Sequence, residues 1–459
     1  MTKDRYEIMI NGAIKPLIIK LAIPTVISMM VTAIYNFADT YFVSNVEHST
    51  EAISAVGVIF SFMAIIQAIG FFFGHGSGNF ISRLIGEKNI DNAKVYAAVG
   101  FFLSFFCGLL ITIFGLIFLN PITRFLTANK DEFVFKYAKD YLFWILLGTP
   151  FMCSSNTLNN QLRYQGNATL AMIGITSGAV LNIFLDPIFI KDYGVYGAGI
   201  STFVSQILGF SLLFISTTFK NNIHIHLKNF RFDKEVFKNI SNGGFPSLAR
   251  QGLNAVSILV LNLVAINYSI DALAAMTVVN RIMSFAISMT MGIGQGFQPV
   301  CGINYGAKKY KRVKEGFVFT VILATVALII FSLICIFKGE TLISFFVNKN
   351  TKLESFDNFI KIGKELLLYQ SLAIVLFGFS NVSNMMMQTM GKSVRATILA
   401  IGRQALFFIP TLFIMQAILG FKGIELTQMI ADILCFVVAV ILVITVFKEL
   451  KQEENPLKS

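Results

Sequence analysis

Apolar stretches of about 20 residues or more recur along the whole chain, each long enough to cross roughly 30 Å of hydrocarbon as a helix. Twelve can be counted, centred near residues 30, 66, 107, 147, 179, 207, 254, 287, 326, 375, 406 and 436. Inside a bilayer every backbone N–H and C=O must find a partner within the protein, so repeated spans of this kind predict an all-α, polytopic bundle. The loops are short and leave no room for a separate soluble domain. Composition agrees: only 14% of the 459 residues are charged, against roughly 25% in ordinary soluble domains.

The formal charge of +12 would suggest a nucleic-acid binder in a soluble chain. In a membrane protein the distribution of Lys and Arg over the loops carries the information instead, and it orients the spans. The densest clusters are Lys308, Lys309, Lys311, Arg312 and Lys314, and the connection 220–238 with Lys220, Lys228, Arg231, Lys234 and Lys238. Both fall on the side of the termini, which predicts a multi-pass membrane protein with both ends in the cytoplasm. The five cysteines stand singly in apolar segments without CxxC spacing, and read as small core residues. No structural metal, cofactor, nucleic acid or obligatory protein partner is expected. Met1 to Lys15 is polar and charged, without the short apolar core of a removable signal peptide.

The chain repeats itself. A shift of 220 residues superposes Glu51-Ala52 on Asp271-Ala272, Gly74 on Gly294, Gly76 on Gly296 and Gly86 on Gly306. Pro24 meets Pro246 at a shift of 222, Gly166 meets Gly391 at 225, and Gly197 meets Gly423 at 226. Drift of this size is what small insertions between copies produce. Six spans per copy place both copies in the same orientation, so the expected architecture is two six-helix lobes related by a pseudo-two-fold axis along the membrane normal, with a cleft between them. The predicted division is a first lobe 1–219, a basic connection 220–238, a second lobe 239–447 and a tail 448–459.

Within this frame the run AVLNIFLDPIFI (179–190) carries one carboxylate, Asp186. A charge at the centre of a membrane helix costs roughly 2.5–3.5 kcal/mol on insertion scales, so an acid at depth faces a cavity, a partner or an ion. Asn182 lies four residues earlier on the same helical face. Pro187 removes a backbone hydrogen bond beside the acid. A second deep acid, Asp39, follows Tyr35 and Asn36 by about one turn, where their polar groups can share a proton or ligand with it. Gly194, Gly197 and Gly199 then form a tight turn that brings Thr202 back level with Asp186. At the shifts above, Asp39 falls on Leu261 and Asp186 on Thr411, so the second copy keeps the scaffold without these acids. It carries Arg250, Arg281 and Arg403 within its spans, and Asp432 in the last one. Arg281 and Arg403 read as snorkelling anchors near the helix ends. Gly70, Gly74 and Gly78 form a small-xxx-small helix seam, and His75 among them reads as an interior histidine rather than a catalytic one.

Pro24, the segment NFADTYFV, the GxxxGxxxG end of span two, LN-x-x-x-DP, the YGVYGAGISTFVSQ hairpin and the repeat together resemble the multidrug and toxic compound extrusion (MATE) family, closest to its bacterial MepA-like and DinF-like branch. The resemblance covers nearly the whole chain. It implies an antiporter rather than an enzyme, exporting small amphipathic, mostly cationic compounds by alternating access in exchange for protons or sodium ions. On the positions that match that branch, it implies ion coupling in the first lobe at Asp39, Asn182, Asp186 and Thr202, with sodium as a possible ligand of this set. It also places the substrate against Asp186, Asp39, Tyr35 and Asn36. A different branch uses acids in the seventh helix; span seven here has none, so that site is not carried over. A lipid-linked sugar flippase is the alternative carrier, but would want several cavity-facing cations for pyrophosphate. An intramembrane enzyme would need a metal helix, an acid pair or a serine elbow, none of which stands out.

Overall fold

The computed structural model describes residues 3–43, 49–127, 131–265, 268–345 and 355–454; the side chains of residues 3, 4, 36–41, 49, 50, 262, 265 and 270 fall outside the description. In chain order the helices are α1 (Lys3–Asn11), α2 (Ile14–Val43), α3 (Ser49–Gly86), α4 (Ile90–Ile117), α5 (Leu119–Leu126), α6 (Glu132–Tyr164) and α7 (Ala168–Thr217). They continue as α8 (Lys234–Ala265), α9 (Ile270–Gly306), α10 (Tyr310–Phe345), α11 (Phe356–Thr389), α12 (Ser393–Ile401), α13 (Phe408–Leu419) and α14 (Phe421–Glu454). Helix α8 begins inside the stretch read from sequence as connection, and α14 runs past the boundary expected at residue 447.

Among the described residues, nine helices are long and apolar enough to cross a membrane, against the twelve spans read from the sequence. The difference has a physical cause. Helix α7 is two helices merged across Gly194, whose backbone at φ 59°, ψ −138° suits only glycine. A continuous helix would hold Asn182 and Ser201 roughly 28 Å apart at 1.5 Å per residue, yet their side chains meet at 3.2 Å. The chain therefore folds back at Gly194. Helices α6 and α8, of 33 and 32 residues, are equally long; α6 is too polar to qualify, and the apolar end of α8 includes residues outside the description. Their polar residues, Asn156 and Asn159 in α6 and Arg250, Gln251 and Asn254 in α8, line an internal cavity rather than lipid.

The repeat is visible in the backbone. Gly166 and Gly391 share φ values of +78° and +81°, Lys88 and Lys308 share 62° and 59°, and Gly194 and Gly420 share 59° and 60°. Asn159 and Asn384 make the same bond, each amide donating to a helix carbonyl 12 residues later, of Ala171 and Ala396 respectively. The half with α2–α7 forms one lobe and the half with α8–α14 the other. They meet where α2 packs on α9 and α3 on α8. A Cβ on Gly292 or Gly296 would lie 2.5 Å from backbone atoms of Val26 or Ala22, and one on Gly76 or Gly86 would lie 2.2 Å from a carbonyl of the opposite lobe. Side-chain-free surfaces let the two lobes approach this closely. The predicted seam in α3 packs within its own lobe, with Gly70, Gly74 and Gly78 against Asn156, Asn160 and Tyr164 of α6.

Both chain ends lie at one end of the bundle. There a single apolar core crosses the lobe boundary, joining Ile14, Ile18 and Ile85 to Phe297, Ile303 and Val446. Toward the other end the core divides in two, one part around Val56, Tyr141 and Val195 and the other around Ala275, Phe359 and Leu412. The lobes are thus sealed at the terminal end and part beyond it. Part of the basic cluster serves this seal: Arg312 and Lys309 donate to the carbonyls of Gly12 and Ile10, at 2.7 and 3.1 Å, as the chain passes from α1 into α2. Helices α4 and α10 lie outermost and present Phe114, Ile117, Ile322, Ile330 and Ile334 outward, as a lipid-facing surface requires.

Candidate functional site

Between the lobes lies a cavity of about 440 Å³, walled by α2, α3, α6 and α7 on one side and by α8, α9, α11, the chain around Leu399–Gln404 and α14 on the other. Its volume is that of a small-molecule site. Met29, Phe71, Met152, Ile175, Met291 and Phe377 supply adaptable apolar wall, interleaved with serines and amides.

Four of the residues singled out from sequence are brought together. Tyr35, Asn182 and Thr202 lie on the first-lobe wall. Asp186 stands one turn behind Asn182, fully buried rather than on the wall. The Asn182 amide donates to Asp186 Oδ1 at 3.2 Å and reaches the hydroxyls of Ser201 and Thr202 at 3.2 and 3.4 Å. The helix continues through Pro187 and breaks only at Gly194, so Asp186 stays on the face that Asn182 sets. The side chains of Asn36 and Asp39 lie outside the described residues.

Ser201, which the sequence reading passed over, donates directly to the Asp186 carboxylate. Thr202 instead donates to the Ala198 carbonyl of its own helix at 2.9 Å, the commoner habit of a helical threonine. Both hydroxyls follow the turn at Gly194, and only the register of that turn decides which one points at the acid.

The second-lobe wall corrects two further expectations. Arg403 is no snorkelling anchor: its Nε donates to Asp432 Oδ1 at 2.7 Å, with the two side chains 11% and 2% exposed. Gln428 also donates to Asp432, at 3.0 Å. Gly402–Leu406 form a π turn between α12 and α13, a wide turn that takes up one inserted residue. The same insertion moves the repeat from a shift of 225 to 226, so the counterpart of Asp186 is the buried Leu412 rather than Thr411.

Another arginine, missed in sequence because it sits at the end of a span, ties the lobes together. Arg163 is completely buried, donates to Gln295 of the second lobe at 2.6 Å and also reaches Asn160 and Gln298. Arg83 adds a bond to the Met390 carbonyl at 3.4 Å, and Thr25 one to the Gly292 carbonyl at 2.8 Å. His75 is an interior histidine, its Nδ1 3.0 Å from the Tyr164 hydroxyl.

Two inward-facing lobes of membrane-spanning helices, a wet cavity between them and a seal at one end define a carrier that binds a small molecule in mid-membrane, not an enzyme. The sequence profile of the MatE family matches residues 24–188 and 246–414, one match in each lobe, and the chain belongs to that family. It is 29% identical to the multidrug export protein MepA of Staphylococcus aureus strain MRSA252 over 427 residues, 92% of each chain. It is 27% identical to MepA of Staphylococcus haemolyticus over 92% of this chain and 91% of that one. A solved structure of a multidrug resistance MATE family transporter in its outward-facing conformation superposes with a TM-score of 0.90 at 25% identity, covering 98% of this chain and all of the other.

Proposed function

We propose that the chain exports small amphipathic cations across the bacterial inner membrane, driven by inward movement of protons or sodium ions through the first lobe. The observation that carries this reading is Asp186, a fully buried carboxylate whose described hydrogen-bond partners, Asn182 and Ser201, are neutral, set one turn from a cavity of drug size. Burial penalises its charge while two donors favour it, a balance that a proton, a sodium ion or an organic cation can tip. Asp39, when brought to the same face, would share one charge with it. The oxygens of Asp39, Asn182, Asp186 and Thr202 are of the kind that ligate sodium.

With the termini in the cytoplasm, as the basic loops predict, the seal is cytoplasmic and the state is outward-facing. Loading of the Asp186 site by a coupling ion neutralises it, releases the cationic substrate outward and lets the lobes rock about their glycine-lined contact. A membrane potential supplies about 2.3 kcal/mol per charge per 100 mV to this cycle. The flippase reading is weaker: of the two arginines on the cavity wall Arg403 is neutralised by Asp432, which leaves Arg250 alone where a pyrophosphate would want several cations.

The test uses purified protein in vesicles loaded with ethidium, under an imposed pH or sodium gradient. Ethidium should move only with one of the gradients, and Asp186→Asn should reduce gradient-driven movement about 100-fold or more while the protein still inserts and folds. Gradient-driven export by Asp186→Asn at the wild-type rate removes Asp186 from coupling.

A further inference from the structure

The connection between the lobes exposes unpaired charge and aromatic surface together. Residues 220–238 hold Lys220, Lys228, Arg231, Lys234 and Lys238, all exposed, against only Asp233 and Glu235. Asp233 is occupied as a helix cap, its Oδ1 accepting from the Glu235 amide at 2.8 Å. Among the described residues none of the five cations forms an ion pair. The matching end of the second lobe differs: there Lys392 and Arg395 pair with Glu449, and Lys314 with Glu454.

The same stretch turns large apolar side chains outward. Phe232 is 89% exposed and Leu227 67%. Phe232 packs on Phe230 and Phe237 with ring centroids 5.8 and 5.4 Å apart, and Phe230 packs edge-on to Phe102 of α4 at 5.9 Å. Helix α4 has its last charged residue at Lys94 and none from Val95 to Ile117, so Phe102 lies close to where that helix enters hydrocarbon. The connection therefore runs along the membrane boundary at the flank of the first lobe. Cations interleaved with exposed Phe and Leu are the composition of segments that lie in the surface of an anionic membrane.

We propose that residues 219–238 are an interfacial anchor for anionic phospholipid in the leaflet at the terminal end. The five cations take the phosphate-bearing headgroups, and Phe232 and Leu227 enter the acyl boundary. A zwitterionic headgroup cancels its own charge and is held less tightly. The anchor is independent of what the central cavity carries.

The experiment titrates delipidated, purified protein in detergent with phosphatidylglycerol and phosphatidylcholine carrying the same fluorescent acyl chain. Wild type should bind phosphatidylglycerol about tenfold or more tightly, a preference that fades as salt screens the patch. Lys228→Gln/Arg231→Gln should remove most of that preference. Lys311→Gln/Lys451→Gln removes the same charge from exposed positions at the same end and should keep it. Phe232→Ser should weaken both lipids about equally. A preference that survives Lys228→Gln/Arg231→Gln overturns the proposal, as does one lost equally in Lys311→Gln/Lys451→Gln. Displacement of the lipid by millimolar inorganic phosphate assigns the cations to a free anion, and binding of polyglutamate without any lipid preference assigns them to an acidic protein; either result overturns it too. The readout involves no transported compound, so failure of the export reading leaves the outcome standing.

Discussion

Among the described residues each lobe sets an acid beside the central cavity, and the two are held in different ways. In the second lobe Asp432 is closed into an ion pair with Arg403, assisted by Gln428, so its charge is fixed by a neighbour of opposite sign. In the first lobe the described hydrogen bonds to Asp186 come from an amide and a hydroxyl, both neutral donors. The Asp186 position is occupied by Leu412 in the second lobe. A duplicated scaffold has thus kept its helices, its glycines and its asparagine–carbonyl bonds while its charges diverged. In the function proposed above, the paired acid serves structure and Asp186 serves transport.

This contrast can be broken by exchanging the roles of the two acids. Asp432→Asn should leave gradient dependence intact but strand the buried Arg403 cation, lowering stability by about 3 kcal/mol or more. Thermal unfolding in detergent checks this, and adding Arg403→Gln should recover most of the loss. If Asp432→Asn uncouples transport at unchanged stability, the assignment of roles is inverted. Within the first lobe, Ser201→Ala removes the direct donor to Asp186 and should slow gradient-driven ethidium export roughly tenfold, on the scale of a hydrogen bond to a charged group. Thr202→Val should have the smaller effect, because its hydroxyl is spent on its own helix. The smallest effects concern the contact between lobes. Gly296→Ala pushes a methyl to 2.5 Å from the Ala22 backbone and should destabilise by about 1–3 kcal/mol. Gly252→Ala meets nothing within 4 Å and should be neutral or slightly stabilising, which makes it the matched control in the same unfolding assay.

Much of this was readable before any coordinates, because the physics behind it is local or periodic. The spans follow from unbroken apolar length, and the pairing of Asn182 with Asp186 from their separation of four. The glycine repeats gave both the seam in α3 and the duplication. What escaped depends on register and on distance along the chain. Whether Ser201 or Thr202 meets the acid is set by the break at Gly194, which a cluster of three glycines does not locate. The Arg403–Asp432 pair joins residues 29 apart on different helices, which no local spacing reveals. Arg163 was passed over because hydropathy reports where a helix ends, not what that end is pressed against.

The π turn at Gly402–Leu406 also says something about how such a protein can change. A single codon added inside a duplicated helix is absorbed in the wide turn while both helix ends keep their old neighbours. An ancestral symmetric pair could in this way lengthen one half without rebuilding either one. Deleting one residue from the turn would be the reverse step, restoring the regular helix its twin keeps.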